Sequence, residues 1–285
     1  MVAFLERIGL SLSMYFWPPH KVSLRKTIEY KGVDVVYSHI GSGQPVVLLH
    51  GFLEERSMWD NYAEKLSLTF KVISIDLLGQ GESGSTGYIH SMEEQAAAVA
   101  TVLFTECIEK CIIIGHSMGG YVALTLAEKQ PDLLEGLVLF HSTAFADSED
   151  RKKDRERVIS LVQRSKSVYI NAVIPSLFAE ELRDDLKPEI ERLINIANGF
   201  SYQGIIANIR GMMERTDRNS VIKNGSFRKM IVQGELDSVI SIDDAKKMAE
   251  LDSNILLEIV KDISHMGHLE APEKCFQLIS NFCKN

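Results

Sequence analysis

The chain has 285 residues and a mass of 32.0 kDa, enough to bury one large core, and its 45% hydrophobic and 25% charged residues exclude a disordered chain. A formal net charge of −8, with no Lys/Arg cluster free of acids, argues against a nucleic-acid partner, because phosphate binding requires a concentrated basic face. The four cysteines, Cys107, Cys111, Cys275 and Cys283, form no CxxC pair and have no His at zinc-ligand spacing, so a reduced, cytoplasmic protein is expected rather than a disulfide scaffold or a zinc site.

The first stretch, Met1 to Trp17, is apolar but interrupted by Glu6 and Arg7, and it falls short of the roughly 20 residues of a membrane span. A helix docked on the body is expected there, with neither a signal peptide nor a transmembrane segment. Lys26 to Tyr30 and Val33 to His39, joined by Lys31-Gly32, read as an antiparallel hairpin at a sheet edge. Short apolar runs then alternate with helical patterns: Val46 to Leu49, helix Ser57 to Leu66, Val72 to Ile75, helix Met92 to Glu106, Ile112 to Ile114, helix Gly119 to Lys129, and Leu137 to Phe140. Ser91 followed by Glu94 predicts a capping box, and Pro131 a helix stop. The alternation resumes with Met230 to Val232, helix Ile242 to Leu251, Leu256 to Val260 and helix Pro272 to Phe282. Near-continuous apolar runs suit strands covered on both faces, so the fold class is α/β with a mostly parallel central sheet flanked by helices.

Between His141 and Lys223 no strand-like run appears and the pattern is helical throughout. The expected division is therefore a core of residues 1–140 and 224–285 with an inserted helical cap, 141–223. Asp147 to Arg157 carries dense charge of both signs, which reads as a solvated helix face. The apolar cap residues include Phe178 and Ile209, candidates for a substrate pocket, and His141, at the end of a strand, is a third. Arg210, Arg215 and Arg218 are scattered among Glu214 and Asp217, so the cap offers no evident cluster for a phosphorylated substrate and an uncharged, mostly apolar one is expected.

The sharpest signal is Gly115-His116-Ser117-Met118-Gly119-Gly120, directly after a strand and directly before a helical pattern. A serine on such a turn must adopt a strained backbone to lift its hydroxyl above the sheet, and small residues two positions away on either side relieve the crowding. A hydroxyl is a poor nucleophile near neutral pH, so it needs a base within hydrogen-bond reach and a carboxylate to orient that base. The turn resembles that of α/β-hydrolases, and the resemblance implies an acid and a base in the loops after the last two core strands. They offer Asp237, with Glu235, Asp243 and Asp244 as rivals; the latter pair open a helix, where acids suit the dipole. They also offer two histidines, His265 and His268. The string Gly79-Gln80-Gly81-Glu82-Ser83-Gly84 has dinucleotide-site spacing, but Ser85, Thr86 and Gly87 follow where a helix would have to open, so it reads as a loop.

These motifs together resemble the α/β-hydrolase superfamily, specifically Ser-nucleophile members with a helical cap, from about Thr27 to the C-terminus. Gly43 to Phe52 looks like the family's strand and His-Gly loop, Asp76 to Ser83 like its D-x-x-G-x-G-x-S, Gly234-Glu235-Leu236-Asp237 like its acid loop, and His265-Met266-Gly267-His268-Leu269-Glu270-Ala271-Pro272 like its terminal segment, with Ser264 where the family usually has Gly. The resemblance implies a triad of Ser117, Asp237 and His265, with His268 in a supporting or surface position, and an oxyanion hole made by the backbone N–H groups of Phe52 and Met118. His50 is then a structural member of its loop, and His116 packs beside the turn. It further implies a serine hydrolase acting on a small to medium ester-like substrate through an acyl-enzyme, with no metal or organic cofactor. A carbon–carbon bond hydrolase and a non-catalytic small-ligand receptor on the same fold are the alternatives.

Overall fold

Lys31 and Gly32 both take left-handed backbone, with φ of 49° and 79°, the conformation of a two-residue hairpin turn whose twist matches that of the flanking strands. They join β1 (Leu24–Tyr30) to β2 (Val33–Gly41), with Tyr30 opposite Val33, so the expected edge hairpin is present. The computed structural model describes residues 23–285; the segment Met1 to Trp17, expected to dock as a helix, lies outside them.

The chain then alternates through β3 (Pro45–Leu49), α1 (Asp60–Leu66), β4 (Lys71–Ile75), α2 (Met92–Thr105), β5 (Cys111–His116), α3 (Met118–Lys129) and β6 (Leu134–Phe140). Ser91 caps α2 by accepting the N–H of Glu94 at 3.1 Å. The helix expected from Ser57 begins later, at Asp60, because Arg56–Trp59 form a tight 3-10 turn. Asp76 fixes that turn by accepting the Arg56 backbone N–H at 2.7 Å and pairing with its guanidinium.

Five helices without a strand follow: α4 (Glu149–Arg164), α5 (Lys166–Ser176), α6 (Lys187–Gly199), α7 (Tyr202–Glu214) and α8 (Asn219–Asn224). The sheet resumes with β7 (Arg228–Gly234), α9 (Ile242–Ala249) and β8 (Ile255–Val260), and the chain ends in α10 (Gly267–Glu270) and α11 (Pro272–Lys284).

The eight strands lie in the order β1-β2-β4-β3-β5-β6-β7-β8, antiparallel at the β1/β2 and β2/β4 pairs and parallel at every pair from β4 to β8. Val46, Leu48, Ile112 and Ile114 pack toward one helical layer, and Val47, Leu49 and Ile113 toward the other, which explains why these strands read as unbroken apolar runs. From β3 the chain steps one way to β4, then crosses back past β3 to β5 and continues in the other direction. Strand order therefore reverses between β3 and β5, and the crevice beyond their carboxyl ends is the topological switch point where open α/β sheets bind ligands.

Helix α7 packs against the loop that leaves β4 at that end of the sheet. A Cβ at Gly204 would strike the backbone of Gly79, so only glycine permits this approach. Asn208 then donates to the Leu78 carbonyl at 3.0 Å and accepts from Gln95 at 2.7 Å, which satisfies buried polar groups at the contact.

Candidate active site

Ser117 is the junction residue between β5 and α3, with φ 50° and ψ −115°. Such a backbone costs about 1–3 kcal/mol and persists only where its surroundings over-determine it. Here the Ser117 N–H donates to Phe140 at 3.0 Å, while its carbonyl accepts from Ser142 Oγ at 2.7 Å and from the Gly120 N–H at 3.0 Å. Space is equally constrained: a Cβ at Gly115 would lie 2.5 Å from the Gly119 carbonyl carbon, and one at Gly119 would lie 2.5 Å from the Leu49 oxygen.

The three residues expected to form a triad come together from loops after β5, β7 and β8. His265 Nε2 lies 2.9 Å from Ser117 Oγ, and His265 Nδ1 lies 2.9 Å from Asp237 Oδ2. Asp237 is fully enclosed by donors: Oδ1 accepts the N–H groups of Val239 at 2.8 Å and Ile240 at 3.0 Å, and Oδ2 also accepts Gln233 Nε2 at 2.9 Å. Burial works to raise the Asp237 carboxyl, but the neighbouring His265 and His141 together outweigh it and hold the group well below its usual range. Asp237 thus stays ionised and fixes the ring of His265. Among the described residues, the backbone N–H groups of Phe52 and Met118 find no protein acceptor. That of Met118 is one of the amides which a helix start always leaves free.

His265 is anchored through its backbone. Its N–H donates to the Leu177 carbonyl at 3.0 Å, and Glu270 gathers the N–H groups of Ser264 at 3.1 Å, Met266 at 2.9 Å and Ala179 at 2.7 Å. Ser264, where the resemblance leads one to expect Gly, is accommodated within this set.

Behind the serine lies a second buried set that the sequence did not reveal. Glu54 Oε2 accepts the Gly51 N–H at 2.7 Å and pairs with His116 Nδ1 at 2.7 Å, while His116 Nε2 reaches the His265 carbonyl at 3.0 Å. Both ring nitrogens of His116 face acceptors, so the ring satisfies them only as an imidazolium. Burial alone would lower its pKa, but Glu54 offsets this and raises it, and His116 in turn holds Glu54 at about 2 against burial. The only sequence signal for Glu54 was its place three residues after Gly51 in the turn. His268 is buried against Trp59, at 6.2 Å between ring centroids, rather than at the surface. His50 serves its loop, accepting the Leu77 N–H at 2.9 Å. Two groups, Glu54/His116/His268 and His141/Asp237/His265, have ligand atoms close enough to gather a cation, but the imidazole–carboxylate pairs just described already account for that proximity.

The pocket expectations require correction. A cavity of about 140 Å³ opens on Ser117 and His265 and is walled by Phe52, Tyr121, Tyr169, Val173, Leu177 and Met212, with Arg151 and Arg155 from α4. Phe178, in the bend after α5, and Ile209, on α7, are each 1% exposed and belong to the packed core rather than to the wall of this cavity. His141, fully buried, stands behind the acid: its Nδ1 is 3.3 Å from Asp237 Oδ2, and a methyl group on Gly267 would strike its Nε2. Burial lowers its pKa to about 4, so the ring is neutral. The charged run Asp147 to Arg157, expected to face solvent, turns two arginines into the cavity wall. The Gly79 to Gly84 string forms a loop, with Gly81 (φ 56°) packed against the buried Asp76 carboxylate and no helix before Met92.

No helix among the described residues is long and apolar enough to cross a membrane. Residues 44–179 match the model of the alpha/beta hydrolase fold family. The chain is 27% identical over 244 residues to the dihydrolipoyllysine-residue acetyltransferase component of an acetoin cleaving system from Pseudomonas putida, covering 85% of this chain and 64% of that one, so it spans just under two thirds of that relative's length. It is 24% identical over 279 residues to a pimeloyl-(acyl-carrier protein) methyl ester esterase from Nitrosospira multiformis, covering 88% and 99% of the two chains. Its fold superposes on a thermophilic esterase from Thermogutta terrifontis, solved with malate bound, at a TM-score of 0.85 and 30% identity over 92% of this chain and 98% of the other. With the switch-point serine, the parallel sheet and these likenesses in hand, the chain belongs to the α/β-hydrolase family.

Proposed function

We propose that the protein is a serine hydrolase that cleaves a small ester-like substrate through an acyl-enzyme on Ser117. The observation that carries this reading is the unbroken hydrogen-bonded chain from Ser117 Oγ through His265 to Asp237, two contacts of 2.9 Å each, at the floor of a cavity. As Ser117 Oγ attacks the carbonyl carbon, His265 Nε2 takes its proton and Asp237 stabilises the imidazolium. Negative charge moves to the carbonyl oxygen, where the free N–H groups of Phe52 and Met118 receive it; losing one such donor typically costs about 2.7–4 kcal/mol. Collapse breaks the ester C–O bond, and His265 returns its proton to the departing alkoxide. A water then attacks the acyl carbon, giving its proton to His265; the bond from that carbon to Ser117 Oγ breaks, His265 returns the proton to Oγ, and the acid leaves.

Cavity size bounds the substrate. An apolar cavity of about 150 Å³ holds a molecule the size of benzene, so the 140 Å³ here suits a short acyl or alkoxy group. The esterase names of the Nitrosospira and Thermogutta proteins favour the same bond class. Four free thiols, three of them buried, fit a reducing cytoplasmic setting.

A fluorophosphonate probe tests the reading. We expect covalent labelling at Ser117, abolished in Ser117→Ala, together with turnover of short p-nitrophenyl esters. Folded protein that neither labels nor turns over such esters would make it a ligand receptor instead.

A further inference from the structure

Among the described residues, one cation in the cavity wall has no carboxylate partner. Arg151 lines both the catalytic cavity and an adjoining cavity of about 200 Å³, which share Tyr121 and Val239 as the rest of their common wall. Among the described residues its guanidinium meets only the Val239 carbonyl, at 3.4 Å, a weak contact. Every nearby acid is engaged elsewhere. Glu149 and Asp150 point outward to Lys152 at 2.8 Å and Lys153 at 3.2 Å. Asp147 is shared between Arg155 and Arg215, Asp244 faces Lys247 at 3.8 Å, and Glu54 is held by His116. Arg151, Arg155 and Arg215 line the two cavities together with Glu54, Asp147 and Asp244; Asp147 takes Arg155 and Arg215, and Arg151 is left without an ion pair among the described residues.

Helix stability does not explain this arrangement. Arg151 lies in the first turn of α4, where the helix dipole disfavours a cation. A partly buried guanidinium without an anion is costly unless an anion arrives with the ligand.

Resting on the hydrolase reading above, we infer that Arg151 receives a carboxylate carried by the substrate, so that the preferred substrate class is a short ester bearing a free carboxylate rather than the uncharged ester expected from sequence. The guanidinium fork matches a carboxylate in a bidentate manner, and its place in the same small cavity as Ser117 sets the anion a few bonds from the scissile carbonyl. Arg155, already bound to Asp147, does not compete for the ligand.

The test compares monomethyl succinate with methyl 4-methylpentanoate, in which an isopropyl group replaces the carboxylate, and adds the 4-methylpentanoate ester of glycolate to carry the charge on the alcohol side. We expect kcat/KM for one or both charged esters to exceed that of the neutral ester by about 10- to 100-fold. Arg151→Met should collapse that ratio, Arg151→Lys should retain part of it, and added salt should erode it in the unmodified protein. Arg157, 78% exposed and paired with Asp154, is the control: Arg157→Met should leave the ratio unchanged. Calorimetric titration of Ser117→Ala with monomethyl succinate and the neutral ester measures the same preference without turnover, which separates this inference from the hydrolase reading. Equal handling of charged and neutral ligands, or a preference that survives Arg151→Met, overturns the inference.

Discussion

The backbone N–H of His265 donates to the carbonyl of Leu177 at 3.0 Å, so the residue proposed as the base is fastened directly to the helical segment between β6 and β7. Glu270 reinforces the same seam, since its carboxylate accepts the N–H of Ala179 from the insertion and those of Ser264 and Met266 from the base loop. The position of the imidazole is therefore tied to that of the Leu177–Ala179 segment.

That coupling makes Glu270 a positioning residue. Glu270→Ala leaves three backbone donors without their acceptor, and hydrogen bonds to a charged group contribute about 1.5–3 kcal/mol each. We expect a lower urea midpoint together with a 10- to 100-fold fall in kcat, on the order of a displacement of about 1 Å in a catalytic group. Glu270→Gln, which keeps one acceptor oxygen, should lose less of both. Unchanged kcat in a destabilised Glu270→Ala would mean that the seam holds the fold but not the imidazole.

Assignment of the base is tested by two histidines three residues apart, His265 in the loop after β8 and His268 in α10. His265→Ala and Ser117→Ala should each lower kcat by several orders of magnitude, and Asp237→Asn by about 10⁴-fold, with the fold retained. His268→Ala should leave kcat within several-fold, because its ring packs on Trp59 and its nitrogens face neither Ser117 nor Asp237. Steady-state kinetics with a short p-nitrophenyl ester would reverse this assignment if His268→Ala were the inactive variant.

The Glu54–His116 pair predicts how stability depends on pH. Glu54 is depressed from its usual 4.5 to about 2, so its contribution is complete above about pH 4.5 and is lost as pH falls through about 2. His116 is raised above its usual 6.5, so its contribution is complete below that value and is lost as pH rises through its native pKa. Their shared stabilisation should peak between about pH 4.5 and 6.5. Urea unfolding across pH 3 to 9 should show both limbs, and Glu54→Gln should flatten them. Removing Glu54 leaves a buried imidazole without its anion, a change that costs about 3–5 kcal/mol in comparable buried pairs.

Acyl-length preference should respond to the cavity wall and not to the packed interior of the insertion. Met212→Ala or Val173→Ala should shift the profile toward longer acyl groups, by about 1–3 kcal/mol of discrimination for each methylene contact changed. Phe178→Ala, at a core position, should instead cost about 3–5 kcal/mol of stability with the profile unaltered. Thermal unfolding and kcat/KM over a series of p-nitrophenyl esters separate the two outcomes; an unmoved profile in both cavity variants would transfer the specificity wall to Phe52 and Tyr121.

By itself, the sequence determined the alternation of strands and helices, the edge hairpin at Lys31-Gly32, the strained turn at Ser117 and the helical interruption after β6. Each of these is local: unbroken apolar runs report burial on both sheet faces, turn residues report backbone angles, and the glycines flanking Ser117 report a steric limit a few residues wide. The choice between His265 and His268 needed the family resemblance, since two histidines three residues apart carry the same local signal. Only the tertiary structure decided which way the insertion's side chains face. Phe178 and Ile209 looked like pocket residues because apolar side chains at helical spacing serve a cavity or a core equally well, and the packing of one helix on another makes that choice. Arg151 looked like part of a solvated face because its neighbours Glu149 and Asp150 balance it in sequence, yet they turn outward to Lys152 and Lys153 while Arg151 turns inward. Glu54 and His116 stand 62 residues apart and become an ion pair only when the turn after β3 meets the end of β5, at the switch point where strand order reverses.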